Sequence, residues 1–236
     1  MKRGLMFLVV GVFQVSASTA TFAQEKRYAL ESVAGLRLHN VLAEPAVLQS
    51  KKGVRLTTVA NAAADNGRSE PDYLALLDDV EFSSGTIEAE VAGAPGQGAF
   101  EAARGYVGIA FRVQGDMKTY DAFYLRPTNG RVEDQERRNH STQYVSHPEW
   151  TWSRLRSETP SKYESYVDLE AGAWTKIKIE VQGDKARLFV HGQEQPTLVV
   201  NDVKSGAQAS GAVALWLGPG TIAHFRNLTV SSTPAK

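Results

Sequence analysis

Short segments of strict two-residue alternation leave this chain few ways to bury apolar surface other than packed β-sheets. In FSSGTIEAEVAG, Ile87, Ala89 and Val91 share one side of an extended segment, and Thr86, Glu88 and Glu90 share the other, because strand side chains alternate between faces. YVGIAFRV sets Val107, Ile109, Phe111 and Val113 against Tyr106, Gly108, Ala110 and Arg112. TYDAFYLRP sets Phe123 and Leu125 against Tyr120, Tyr124 and Arg126. Further on, WTKIKIEV, ARLFV, TLVV, AVALWL and HFRNLTV are short apolar runs parted by glycine-containing turns. No apolar stretch holds a helical period for long, although Val132 to Arg138 can form a short helical turn. Strand runs at this spacing predict an all-β, two-sheet antiparallel sandwich.

If the segments around Glu88, Arg112 and Tyr124 are antiparallel neighbours, then Glu88, Glu90, Arg112, Tyr120, Tyr124 and Arg126 stand together on one outer face. Beside the small Gly108 and Ala110 they would line a shallow trough. Nearer the start, the runs Leu36 to Leu38, Ala46 to Leu48 and Val54 to Val59 read as strands split by Pro45 and by a turn at Lys51-Lys52-Gly53. Asn61 to Pro71 reads as a loop, and Tyr73 to Leu77 as another strand.

Lys2 and Arg3, the apolar run Leu5 to Val15 and the small-residue site Thr21-Phe22-Ala23 have the pattern of a secretory signal peptide. The expectation is a leader over residues 1–23, then one sandwich domain over residues 24–236, in the periplasm or outside the cell. The apolar core of the leader is too short to span a bilayer, so no membrane is expected once it is removed. Cysteine is absent, which excludes disulfides and thiol chemistry. Acidic and basic residues balance at 26 each, and nucleic acid, which calls for a basic surface, is not an expected partner.

From Pro127 to Tyr166 the alternation stops and polar and aromatic groups crowd into one connection. A segment this long with several aromatics reads as an ordered, functional flap. Three kinds of chemistry can use it. Glycoside hydrolysis needs two carboxyl groups flanking the bond; Glu88 and Glu90 share a side, and Asp134, Glu136, Glu149 or Glu164 can supply a partner. Elimination needs a base, an acid and groups that hold developing negative charge. His140, Tyr144 and His147 fit the first two roles, and Arg137, Arg138, Asn139 and Gln143 the third. Binding without chemistry needs aromatic faces and hydrogen-bonding rims, for which Trp150, Trp152, Tyr124, Tyr144, Arg126 and Asn139 are candidates. Trp174 and Trp216, inside strand patterns, read as packing residues. No cofactor is expected: the His140 and His147 spacing matches no zinc pattern. A structural calcium ion would suit such a sandwich, but no Asp-rich loop marks one.

The segments FSSGTIEAEV, GYVGIAFRV, YDAFYLRP, WTKIKIEVQGDKARLFVHG and GAVALWLGPGTIAHFRNLTV together resemble the secreted concanavalin A-like lectin and glucanase sandwiches. The likeness is greatest to the branch that includes laminin G-like and 3-keto-disaccharide hydrolase-type domains. It runs from about Phe82 to Val230. It implies a jelly roll whose concave face and bordering loops bind an oligo- or polysaccharide. The E-x-D-x-x-E pattern of family-16 glucanases is not matched, since Val91, Ala92 and Gly93 follow Glu90, so the resemblance assigns no catalytic carboxylates. Hydrolase, lyase, binding module and laminin G-like interaction domain all remain open at this level.

Overall fold

The computed structural model describes residues 24–59 and 72–233. Among them are strands β1 (Gln24–Tyr28), β2 (Leu36–His39), β3 (Val41–Leu48), β4 (Lys51–Thr58) and β5 (Leu74–Leu77). Three longer strands follow: β6 (Ser84–Pro95), β7 (Val107–Val113) and β8 (Tyr120–Leu125). After a 3-10 turn at Pro127–Asn129 come helix α1 (Gln135–Asn139), β9 (Thr142–His147), helix α2 (Trp152–Glu158) and β10 (Glu164–Ser165). The chain continues with β11 (Thr175–Gln182), β12 (Lys185–Val190), β13 (Leu198–Val200), β14 (Ala212–Leu217) and β15 (Thr221–Thr233). The predicted leader and the Asn61 to Pro71 loop lie outside the described residues.

Two antiparallel sheets form the expected sandwich. One has the order β13-β12-β11-β6-β15-β4-β3, with β1 on the part of β15 that β4 does not cover; the other has the order β10-β9-β8-β7-β14-β5-β2. Ile87, Ala89 and Val91 of the first meet Ile109, Phe111, Phe123 and Leu215 of the second in one buried core.

The expected pairing of β6 with β7 and β8 is wrong. Between β6 and β7 the chain crosses from one sheet to the other, and β6 pairs with β11 and β15. Alternation tells which residues share a side of a strand, but not which strands are neighbours. The first hairpin turn falls on Gln49 and Ser50, both at positive φ, so Lys51-Lys52-Gly53 belongs to β4. Pro45 is tolerated because β3 is an edge strand.

Arg112 also departs from the expectation. Its φ is 56°, and the β7–β14 register slips between Ala212 and Ala214, as an extra residue in one strand would produce. The kink turns the side chain away from the outer face into a fully buried position. There its guanidinium donates to the carbonyls of Ser83, Gly183 and Gly206 at 2.7 to 3.0 Å and to Ser205 Oγ at 2.9 Å. Asp121 lies 3.9 Å away.

The flap is not one connection, because its middle is strand β9, hydrogen-bonded between β8 and β10. Thr142, Gln143 and Ser146 are buried, which hides the strand from an apolar pattern. Their polarity is met locally: Thr142 Oγ1 donates to the Ser165 carbonyl at 3.0 Å, and Gln143 Nε2 to the carbonyls of Tyr144 at 2.8 Å and Tyr163 at 3.2 Å. The short helical turn predicted around Val132 to Arg138 is realised in α1, capped by Asp134, which accepts from the Arg137 backbone N–H at 3.1 Å.

Candidate functional site

Register alone builds the floor of a site on the outer face of the seven-stranded sheet. Glu164, Gln143, Tyr124, Gly108 and Trp216 are consecutive cross-strand partners, so their side chains share that face. A Cβ at Gly108 would sit 2.1 Å from the Phe123 carbonyl oxygen and 2.7 Å from Tyr124 Cβ. The residue is confined to glycine, and the Tyr124 and Trp216 rings stack across it at 4.6 Å. Above this floor opens a pocket of about 430 Å³, a size suited to a small-molecule ligand. Its walls come from the loop around Phe100 to Tyr106, the turn and α1 after Arg126, the start of α2, and Asp72.

At one end, Arg126 donates through Nη1 to the His140 carbonyl (3.0 Å) and Glu164 Oε1 (3.1 Å). Through Nη2 it donates to the Tyr124 hydroxyl (3.0 Å) and Gln143 Oε1 (2.9 Å). Arg156 grips the same carboxylate, with Nε 3.0 Å from Oε2 and Nη2 on Oε1. Burial pushes the Glu164 carboxyl up, but its hydrogen bonds to Arg156 and the charges of Arg126 and Arg156 outweigh this and hold it below its ordinary range. His140 Nδ1 lies 3.0 Å from Glu164 Oε2 without hydrogen-bond alignment. Burial lowers its pKa against the pull of Glu164, and the charges of Arg156 and Arg126 add to the lowering.

At the other end, the Tyr120 hydroxyl donates to Asp72 Oδ1 at 2.6 Å and accepts from Trp216 Nε1 at 3.1 Å. His147 stacks on the Tyr120 ring at 5.0 Å and holds Nδ1 3.6 Å from Asp72 Oδ1. Burial lowers the His147 pKa to about 4. It raises that of Asp72 to about 6, against the lowering hydrogen bond from Tyr120. At neutral pH the pair is therefore a neutral imidazole beside a carboxylate.

Of the residues the sequence put forward, Tyr120, Tyr124, Arg126, Arg137, His140, His147 and Trp152 line the pocket. Others do not. Tyr144 pairs in register with Phe123, faces the core and donates its hydroxyl to the buried Asp121 at 2.6 Å. Gln143 is fully buried under the floor. Arg138 lies against Tyr166, with Nη2 2.8 Å from its hydroxyl. Asn139 is exposed on α1 and accepts from Gln135. Trp150 packs on the core under the cations of Arg154 and Lys204.

Glu88 and Glu90 belong to the opposite sheet, where they pair with Lys176 and with Lys51 and Asn227. They cannot form a carboxylate pair at this pocket. Glu88→Gln and Glu90→Gln are expected to leave ligand affinity and any turnover within about twofold of the parent, since exposed ion pairs of this kind contribute little; titration of each variant checks this.

Sequence reasoning missed Asp72, Phe100, Arg104, Tyr106, Asn129 and Arg156. Asp72 carries no local signal, and the others sit in loops or helix turns that only the fold brings together. Trp216 was read as packing; it packs and also lines the pocket. Among the described residues no group of three or more His, Cys, Asp or Glu side chains is arranged to hold a metal ion. None of their helices is long and apolar enough to cross a membrane.

This topology, with its pocket on one outer sheet face, defines a concanavalin A-like jelly roll. Residues 46–231 match the 3-keto-alpha-glucoside-1,2-lyase-like domain, and the chain belongs to that family. The fold is similar to carbohydrate binding module CBM66 from Bacillus subtilis, at 16% identity over 84% of this chain and 96% of that one, with a TM-score of 0.52. A Bacillus subtilis protein of unknown function with a galectin-like fold is similar at 12% identity over 91% and 100%, with a TM-score of 0.54. At such identities the likeness is one of fold. A search of curated proteins finds no match.

Proposed function

We propose that the pocket binds a 3-keto-α-glucoside and breaks its glycosidic bond by 1,2-elimination. The C3 ketone acidifies the C2–H bond. A base takes that proton, the electron pair forms the C1=C2 double bond, and the C1–O bond breaks, so that the aglycone leaves and is protonated to an alcohol. Membership of the 3-keto-alpha-glucoside-1,2-lyase-like family supports the reaction class.

The observation that carries the reading is the pairing, in one pocket, of a neutral His147 beside Asp72 with an arginine that keeps donors free. With Nδ1–H turned to Asp72, the lone pair of His147 sits on Nε2, where it can accept the C2 proton. Arg156 uses Nε and Nη2 on Glu164. Its Nη1 is left to hold the negative charge that builds on the ketone oxygen, the role of an oxyanion site. Arg126, whose terminal donors are all engaged, is a positioning residue. Tyr124 and Trp216 offer a flat apolar floor for the C–H face of a sugar ring. The leader-like segment at residues 1–23 supports action in the periplasm or outside the cell.

The test is incubation with a 3-keto-α-glucoside and, in parallel, its unoxidised parent, following enone absorbance and reducing ends. Enone from the keto sugar alone is expected. Reducing ends without enone would mean hydrolysis, and retention of the glycan without turnover would leave only a carbohydrate-binding domain.

A further inference from the structure

Arginines around the pocket are mostly neutralised or stacked. Arg126 and Arg156 share Glu164, Arg131 pairs with Asp168 and Glu170, Arg154 with Glu149 and Glu158, and Arg138 lies on Tyr166. Arg104 and Arg137 are different. Both are half-buried and line the pocket, yet among the described residues no carboxylate pairs with either.

One turn brings them together. The Thr128 backbone N–H donates to the Arg104 carbonyl at 3.3 Å. Arg137 reaches the same turn through Nε to Asn129 Oδ1 at 3.0 Å and Nη2 to Thr128 Oγ1 at 3.4 Å. Arg104 Nη1 is spent on the carbonyls of Glu101 and Ala103 at 2.8 and 3.1 Å. Among the described residues that leaves Nη1 of Arg137, and Nε and Nη2 of Arg104, without acceptors. The two guanidiniums repel: after burial, the charge of Arg104 is the main influence lowering the Arg137 pKa, ahead of the opposing pull of Asp134. Asp134 and Glu136 line the same pocket, but Asp134 is engaged in capping α1, and Glu136 is exposed and makes no ion pair with either arginine.

We infer that Arg104 and Arg137 form an anion subsite, and that the natural ligand is a saccharide whose part outside the keto ring carries a carboxylate or phosphate. An oxyanion with two or three acceptors can take the unused N–H groups of both arginines and relieve their repulsion, which a neutral hydroxyl cannot. This inference rests on the elimination reading for the identity of the keto ring, but not for the charge of its substituent.

The test compares three 3-keto-α-glucosides with a neutral, a uronate and a sugar-phosphate aglycone, at physiological salt, on the parent protein and on the Arg104→Met/Arg137→Met double variant. The parent is expected to prefer one of the anionic ligands by about tenfold to a hundredfold in kcat/KM, the worth of charge-assisted hydrogen bonds, and the double variant to lose that preference. Whichever anion is preferred identifies the group. A parent that favours the neutral glycoside, or a double variant that loses equally on all three, would overturn the subsite. If nothing is turned over, the elimination reading fails, and calorimetric affinities for the unoxidised anionic and neutral glycosides decide the subsite by the same comparison. The single variant Arg137→Lys, which keeps the charge, should retain part of the preference that the double variant loses.

Discussion

Arg126→Met is expected to destabilise the protein by about 3–5 kcal/mol and to cut turnover of the keto glycoside by at least about a hundredfold. The first figure is what breaking a buried, hydrogen-bonded ion pair costs; the side chains of Arg126 and Glu164 are only 6% and 3% exposed. Methionine matches the volume but strands Gln143 Oε1, leaves the His140 carbonyl with Asn129 Nδ2 alone at 3.1 Å, and leaves Arg156 as the one arginine on the carboxylate. The second figure follows from a loosened Arg156, because removing one aligned donor from an oxyanion site costs about this much. Urea unfolding and kcat/KM measured well below the melting temperature separate the two effects. A loss under about 1 kcal/mol would mean that the four-bonded guanidinium is not the anchor described above. Arg126→Lys keeps the charge without the planar fork and should fall between parent and methionine variant.

Asp72→Asn is expected to do the opposite to stability and the same to activity. The Asp72 carboxyl has its pKa raised to about 6 in the fold, so between its ordinary range and that value the native state binds more protons than the unfolded chain. Stability therefore falls as pH rises through this window, and at pH 7 the penalty is fully present. A shift of this size corresponds to at most ~3 kcal/mol. Asparagine removes the charge while still accepting from Tyr120, so a gain of about 1–2 kcal/mol at pH 7, vanishing by about pH 4, is the expected result. Turnover should fall, and the acid limb of the parent's pH–rate profile near pH 6 should disappear. A melting temperature at pH 7 at or below that of the parent would contradict this account.

The sequence made the sandwich legible wherever a strand had one apolar and one polar side, as in β6, β7, β8 and β11. It concealed β9, because Thr142, Gln143 and Ser146 are buried with their hydrogen bonds satisfied inside the protein. Pairing was illegible for another reason: a two-residue period orders side chains along a strand and carries nothing about its neighbours, so Glu88 and Glu90 were set on the wrong sheet. The kink at Arg112 shows how one positive φ cancels a face assignment. The site was half visible. Tyr120, Tyr124, Arg126, His140 and His147 stand out as chemistry placed among strands, whereas Asp72 and Arg156 acquire meaning only from the partners the fold supplies.

The floor of the pocket is stitched from distant parts of the chain: Glu164 on β10, Tyr124 on β8, and Trp216 on β14, which joins the sheet between β7 and β5. A nascent chain leaving the ribosome therefore carries the histidines and arginines well before it has a surface on which to present them. Recognition appears only once β14 inserts, and such late, long-range closure is slow on the scale of local folding. For this protein, acquiring a binding surface and completing the sheet are one event.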